Sequence, residues 1–151
     1  MAWIEGTEEQ SFEVEAAYDD VVDFFSDPAT FKECLSQTEK AEEVEPMVWR
    51  WVLQEKSEKG ITYQADYTVE YEKVDDEHFR WSTREGNMRS EGFTKFEKLG
   101  EDRTKVHYKE TIATDLPINR LMAKVFSPIV SREIRKGVGE FLGCARQRLS
   151  S

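Results

Sequence analysis

A single carboxylate interrupts an otherwise apolar strand face late in the sequence. In residues 106–112 every second residue is apolar except Glu110, and a period of two is typical of a strand with one buried side. A carboxyl group among apolar neighbours has a raised pKa, so it could act as a general acid or bind a ligand hydroxyl. Since Glu is seldom fully buried, we favour a carboxylate that reaches water at the strand end or pairs with an arginine.

Aromatic side chains occupy the matching face of the preceding segments. The alternation is clearest in residues 61–72, where apolar and polar side chains take turns. Aromatic faces with a few polar groups line many small-molecule pockets, but ordinary core packing produces the same periodicity. The inferred inner face contains Trp49, Trp51, Tyr63, Tyr67, Tyr71, Trp81, Phe96 and Tyr108.

Other common catalytic or metal-binding arrangements have no counterpart in the residue pattern. His78 and His107 fall on outer strand faces, so both are expected at the surface. With two histidines and no clustered Cys/His spacing, neither a metal nor a cofactor is expected. Cys34 and Cys144 fall on or near apolar helical stripes and lack a CxxC spacing, which predicts two packed thiols and a reducing compartment. No residue is therefore assigned a catalytic role.

Three blocks of secondary structure would position these residues. Residues 11–16 alternate as a first strand, and residues 21–25 have helical spacing. Asp27 and Pro28 provide an N-cap and a first-turn proline for a second short helix. From about residue 38, alternating segments separated by short turns predict an antiparallel meander, and a helical tail follows. This order of blocks predicts an α+β fold.

The C-terminal tail is predicted to be helical with a break at Pro128. Its apolar residues form two stripes, before and after Pro128, that differ by about half a turn at the 3.6-residue period. Because proline removes an amide donor and Ser127 can cap a new helix, we expect a kink or a restart there. The last helix would then run from Pro128 to about Arg148. The first stripe comprises Ile118, Leu121, Met122, Val125 and Ile129.

The order of one strand, two short helices, about six strands and a long C-terminal helix resembles the START-like superfamily, also called the Bet v 1-like or helix-grip fold. The resemblance is carried by residues 16–28, 79–83 and 92–106 and by the final helix. These segments are similar to the polyketide cyclase/dehydrase-like branch, near coenzyme Q-binding START proteins. The resemblance implies one domain over residues 1–151, in which the C-terminal helix grips a curved antiparallel sheet of about seven strands.

The resemblance also implies a cavity between sheet and helix that holds a lipid, quinone or polyketide-like molecule. We therefore expect binding or transport of a hydrophobic small molecule, with the segment around Met122 and Phe126 as a gate. A polyketide cyclase/aromatase or dehydratase in the same cavity is one alternative, and an accessory protein that binds a partner is another. The candidate ligand-binding residues are Trp49, Trp51, Tyr63, Tyr67, Trp81, Met88, Phe96, Tyr108, Glu110, Met122, Phe126 and Phe141.

Composition and charge limit the partners. The 151 residues have a net charge of -10, and such a surface repels polyanions, so a nucleic-acid partner is not expected. Residues 117–151 nevertheless carry seven Lys or Arg against two Glu. This basic helix could touch an anionic membrane transiently, but we favour internal charge complementarity with a solvated outer helix face. No leader-like or membrane-spanning apolar run occurs, so a cytoplasmic location is expected.

Overall fold

A seven-stranded antiparallel sheet forms the body of the molecule. The computed structural model describes residues 2–150. The seven strands lie in the order β1-β9-β8-β7-β6-β3-β2, and β4 pairs only with β5 as a separate hairpin. The strands are β1 (Ala2–Val14), β2 (Thr38–Glu45), β3 (Val48–Leu53), β4 (Lys56–Glu58), β5 (Ile61–Tyr63), β6 (Asp66–Asp75), β7 (His78–Gly86), β8 (Met88–Gly100) and β9 (Arg103–Leu116).

Two short helices follow β1, as predicted. Helix α1 spans Tyr18–Phe25, and α2 spans Pro28–Phe31 and continues as a 3₁₀ turn at Lys32–Cys34. The Asp27 side chain accepts a hydrogen bond from the Ala29 amide (3.0 Å), which confirms the predicted N-cap. With the long C-terminal helix α3 (Arg120–Leu149), these elements confirm the predicted α+β helix-grip arrangement.

Helix α3 is continuous, so the predicted restart at Pro128 is wrong. The helix begins eight residues earlier, where the Asn119 side chain accepts a hydrogen bond from the Met122 amide. Pro128 lies on the exposed side of α3, where water can satisfy the carbonyl that loses its amide partner. Leu121 and Val125 are 74% and 45% exposed, so the first predicted stripe does not form one buried face.

The buried face of α3 runs on both sides of Pro128 and packs against the sheet and the short helices. Phe126 and Val130 are both buried on it. Phe141 meets the rings of Phe25 and Phe31 edge-on, with centroid separations of 6.2 and 5.7 Å. Edge-on pairs are favourable beyond their buried area. The aromatic contacts therefore fix α1 and α2 against the middle of α3.

A disulfide joins Cys34 to Cys144, which contradicts the prediction of two packed thiols. Their Cα atoms are 5.6 Å apart, and the bond ties the 3₁₀ turn after α2 to α3. An ion pair between Glu33 and Arg148 (2.6 Å) lies beside it. The two cysteines are 110 residues apart, so only the tertiary fold brings them together. A disulfide is typical of an oxidising compartment, so the cysteines no longer favour a reducing one.

The long alternating run at residues 61–72 is divided in the structure. Residues Ile61–Tyr63 pair with β4, and the main-sheet strand β6 begins only at Asp66. Lys59 and Gly60 both have positive φ (50° and 81°), which is typical of a tight two-residue hairpin turn. The β4–β5 hairpin therefore stands apart from the sheet and can cover what lies beneath it. No helix within residues 2–150 is long and apolar enough to cross a bilayer.

Candidate functional site

A cavity of about 480 Å³ lies between the inner face of the sheet, helix α3 and the β4–β5 hairpin. Pockets for small molecules usually measure about 300–1,000 Å³. Strands β3, β6, β7, β8 and β9 supply the sheet side of the wall. The alternation of each strand places its aromatic side chains on this side. The sheet therefore uses its apolar face partly as core and partly as the lining of a cavity.

Nine of the twelve candidate ligand-binding residues line the cavity, and three do not. Trp49 is buried and stacks on Trp51 (5.8 Å between centroids). Phe96 packs against Phe25 in the core (6.1 Å), and Met122 packs against the core from its edge. The residues on the wall are Trp51, Tyr63, Tyr67, Trp81, Met88, Tyr108, Glu110, Phe126 and Phe141.

The expected gate around Met122 and Phe126 does not coincide with the mouth of the cavity. Phe126 is a buried wall residue. The exposed lining residues lie instead after the 3₁₀ turn, around the β4–β5 hairpin and in the middle of α3, at Ser36, Gln54, Lys56, Ser57, Glu58 and Glu140. Lys56 Nζ donates a hydrogen bond to Glu133 Oε2 (3.0 Å) and ties the hairpin to α3. The hairpin is therefore one of the elements that border the mouth.

Glu110 lies on the cavity wall and is held by two hydroxyl groups. Ser90 Oγ donates to Glu110 Oε2 (2.5 Å), and the Tyr108 hydroxyl donates to Oε1 (2.7 Å). Trp81 Nε1 in turn donates to Ser90 Oγ (3.0 Å). Among residues 2–150 no arginine pairs with Glu110, so that part of the favoured alternative is wrong, whereas the half-buried side chain borders the cavity and can reach water there. Alternation places Glu110 inside the molecule, in the middle of a fourteen-residue strand.

Burial sets the electrostatics of this cluster. Loss of water raises the pKa of Glu110 above its usual range, and the hydrogen bonds from Ser90 and Tyr108 offset part of that increase. Burial also raises the pKa of Tyr67, Tyr71 and Tyr108, and the nearby charge of Glu110 raises them further. The tyrosines therefore remain neutral donors, and Glu110 is the group that can gain or lose a proton.

The other hydroxyl groups on the wall differ in whether they have partners. The Tyr71 hydroxyl accepts a hydrogen bond from Trp51 Nε1 (3.0 Å). The Tyr63 hydroxyl donates to the Asn87 carbonyl (2.7 Å). Among residues 2–150, no side chain or carbonyl hydrogen-bonds to the Tyr67 hydroxyl, although its ring lines the cavity. It is available to a ligand.

Ser90 belongs to the Glu110 cluster but was not singled out from the sequence. It lies two residues after Met88 on the inner face of β8, and the register places it opposite Ile112, next to Glu110 on the neighbouring strand. The alternation alone identifies its face. Its contact with Glu110 depends on the register between β8 and β9, which the sequence does not specify. The two histidines lie away from the cavity, and His107 Nε2 contacts Glu9 (2.6 Å) on the outer face.

Comparison with known proteins identifies the fold. No family model and no curated protein matches the chain. A solved protein of Thermus thermophilus is 22% identical, with a TM-score of 0.71 over 95% of this chain and 97% of that one. A START superfamily protein from Mycobacterium smegmatis is 12% identical (TM-score 0.71; 95% and 96% covered). Norcoclaurine synthase from Thalictrum flavum, solved with dopamine and hydroxybenzaldehyde, is 14% identical (TM-score 0.61; 99% and 90% covered). The chain thus has the START-like, Bet v 1-like fold predicted from its sequence.

Proposed function

We propose that this protein binds and carries a hydrophobic small molecule of the lipid, quinone or polyketide type in its cavity. The observation that carries the proposal is a wall that is mostly aromatic and aliphatic, with one polar cluster at Glu110. Removing apolar surface from water supplies affinity at about 25 cal/mol per Å². The few polar groups would fix the orientation of the ligand. The START-like fold, which commonly binds hydrophobic ligands, supports the same function.

Two glycines of α3 provide a matched test of occupancy. A Cβ at Gly137 or Gly139 would meet no atom within 4 Å, but only Gly137 lines the cavity, whereas Gly139 faces solvent. Gly137→Leu should fill the mouth of the cavity, and Gly139→Leu should leave it open with the same gain in helix propensity.

The measurement is native mass spectrometry of freshly purified protein, followed by titration with the neutral fluorophore Nile red. We expect an apolar adduct or Nile red binding in the natural protein and in Gly139→Leu, and loss of both in Gly137→Leu. No adduct and no Nile red binding in the natural protein would refute the proposal. Equal binding by the two variants would show that the dye occupies another surface.

An enzymatic function in the same cavity is the second candidate, and the raised pKa of Glu110 supports it. A carboxyl group with a raised pKa, held by Tyr108, could transfer a proton during cyclisation or dehydration of a polyketide chain. Norcoclaurine synthase illustrates that an enzyme can have this fold. If the protein is a cyclase, Glu110→Gln should abolish turnover of a polyketide mimic. Turnover that survives this change would exclude Glu110 as the acid.

A transient membrane contact through α3 is a further part of the proposal. Leu121 and Val125 are exposed on its first turns, beside Arg120 and Lys124. Apolar side chains flanked by basic ones suit the surface of an anionic bilayer. Flotation with phosphatidylserine vesicles should recover the protein in a salt-sensitive manner. Leu121→Ser should reduce recovery, and Leu99→Ser, an exposed leucine near the end of β8, should not. No flotation at low salt would contradict this contact.

Residues 1–151 are proposed to form one domain. Buried side chains from β1, β3, β6, β8, β9 and α3 join one apolar cluster, which is the property expected of a domain. Limited proteolysis should release no stable fragment. A cytoplasmic location stays a prediction, and the Cys34–Cys144 disulfide favours an oxidising compartment instead.

A further inference from the structure

The charges around the cavity point to the chemistry of the ligand. Within the described residues, the wall carries four glutamates and one lysine. Lys56 is already paired with Glu133, so it does not neutralise the other carboxylates. Glu58 and Glu140 lie at the mouth, and Glu110 lies on the inner wall. An anionic headgroup would approach like charges from mouth to interior, whereas a cation would be attracted along the whole path.

The hydrogen bonds at Glu110 all run toward the carboxylate. Trp81 Nε1 can only donate, so Ser90 accepts this proton and offers its own to Glu110. The Tyr108 hydroxyl offers a second proton to the other oxygen. The cluster is therefore arranged around an ionised acceptor. Yet no lysine, arginine or histidine among residues 2–150 forms an ion pair with Glu110.

A carboxylate on a largely apolar cavity wall without a cation is an incomplete arrangement, because charges taken from water in proteins are usually paired. Aromatic side chains line the same cavity as this one. The rings of Trp81 and Tyr108 lie 5.5 Å apart beside Glu110, and Tyr67 and Tyr71 are close enough to be affected by its charge. Ring faces attract an ammonium group within about 6 Å of their centres. A carboxylate among aromatic faces suits an organic cation better than a hydroxyl or a carboxylate.

We propose that the natural ligand is an amphiphilic amine, whose protonated nitrogen pairs with Glu110 against the rings of Tyr67, Trp81 and Tyr108. Its apolar body lies along the wall toward the hairpin. This inference rests on the proposed function, since it names the ligand class of the same cavity. The ligand completes the ion pair that the protein leaves open.

Three probes with the same twelve-carbon chain test the proposal: dodecylamine, dodecanol and dodecanoate, each below its micelle concentration at pH 7. Displacement of Nile red measures their affinities. We expect dodecylamine to bind about thirtyfold more tightly than dodecanol, as for a desolvated charge pair, and dodecanoate to bind most weakly. Glu110→Gln should weaken dodecylamine by about thirtyfold and change dodecanol by less than about fivefold.

Glu140→Gln is the matched control, because it removes the same charge from the exposed mouth of the cavity. It should change dodecylamine binding by less than about threefold, as expected for a solvent-screened charge. An equal loss in Glu140→Gln and Glu110→Gln would overturn the inference, because general charge would then explain the preference.

The rank order of the three probes in the natural protein is a test that requires no variant to fold. If dodecanol or dodecanoate binds as tightly as dodecylamine, the inference is wrong while the proposed function stands. If no probe binds and no adduct is present, the proposed function fails as well.

Discussion

Removing the disulfide between Cys34 and Cys144 should lower the free energy of unfolding by about 5 kcal/mol, because the bond closes a loop of 110 residues in the unfolded chain. Loop-closure entropy grows with the logarithm of loop length, so a separation this large is near the upper end of the usual range. Small proteins have a total stability of about 5–15 kcal/mol. The disulfide therefore accounts for a large share of the stability of this fold.

Urea denaturation with and without reductant measures this contribution in a chain of unchanged sequence. With a slope of about 2 kcal/mol per molar urea, the unfolding midpoint should fall by about 2–3 M on reduction. The slope must be fitted separately for each form, since reduction also lets the unfolded chain expand. Cys34→Ala/Cys144→Ala should show a loss at least as large, because Cys34 is also buried in the core.

Two results would refute the reasoning about the disulfide. One is a mass measurement that finds two thiols in protein purified without reductant. The other is a midpoint that moves by less than about 0.5 M on reduction, which is too small for closure of a loop of this length. Since Cys34 lines the cavity, reduction should also speed the exchange of bound Nile red.

Three further predictions concern single side chains. Because burial raises the pKa of Glu110, the folded state binds its proton more tightly, so stability relative to Glu110→Gln should fall as the pH rises above the usual range of a carboxyl group. Parallel curves in thermal unfolding would contradict this. Gly139→Ala, at an exposed position of α3, should stabilise the protein by about 0.5–1 kcal/mol. Gly92→Ala should destabilise it, because the added Cβ would overlap a carbonyl oxygen of β9. Denaturation midpoints that shift in the same direction for both variants would refute these two predictions. Glu133→Gln removes the charged hydrogen-bond acceptor of Lys56 and should speed ligand exchange by about two- to fivefold. Stopped-flow release of Nile red measures the rate, with Glu140→Gln as the control. Equal rates in the two variants would show that the hairpin does not limit access to the cavity.

Local patterns predicted the parts of this fold that depend on local physics. The N-cap and proline at Asp27 and Pro28, and the alternation through Tyr108 and Glu110, each require only a few neighbouring residues. The continuity of α3 through Pro128 was not predicted, because it depends on which side of the helix faces solvent. Apolar periodicity indicated two separate stripes, whereas the packing of α3 against the sheet buries a face that includes Phe126 and continues past Pro128.

The strand face of the candidate site residues was predicted from the sequence. Whether each residue borders the cavity or lies in the packed core was not. Alternation placed Trp49 and Trp51 on one face, but it cannot tell which of the two borders empty space and which is covered by other side chains. The hairpin at the mouth was hidden because Ile61 and Tyr63 continue the period of β6 although they pair with β4. The register between β8 and β9 brings Ser90 into contact with Glu110, and the position of the β4–β5 hairpin shapes the mouth of the cavity. Both are tertiary properties.

Two features of the wall lower the stability of the empty protein. An apolar cavity of about 480 Å³ loses packing contacts, and Glu110 lies on its wall with reduced access to water and no cation paired with it among residues 2–150. A chain selected only to fold would fill the space with a larger side chain and replace the carboxylate with an apolar residue. A ligand with an apolar body and a positive end removes both penalties at once. It should therefore raise the unfolding temperature with its concentration, as a ligand that binds only the folded state must.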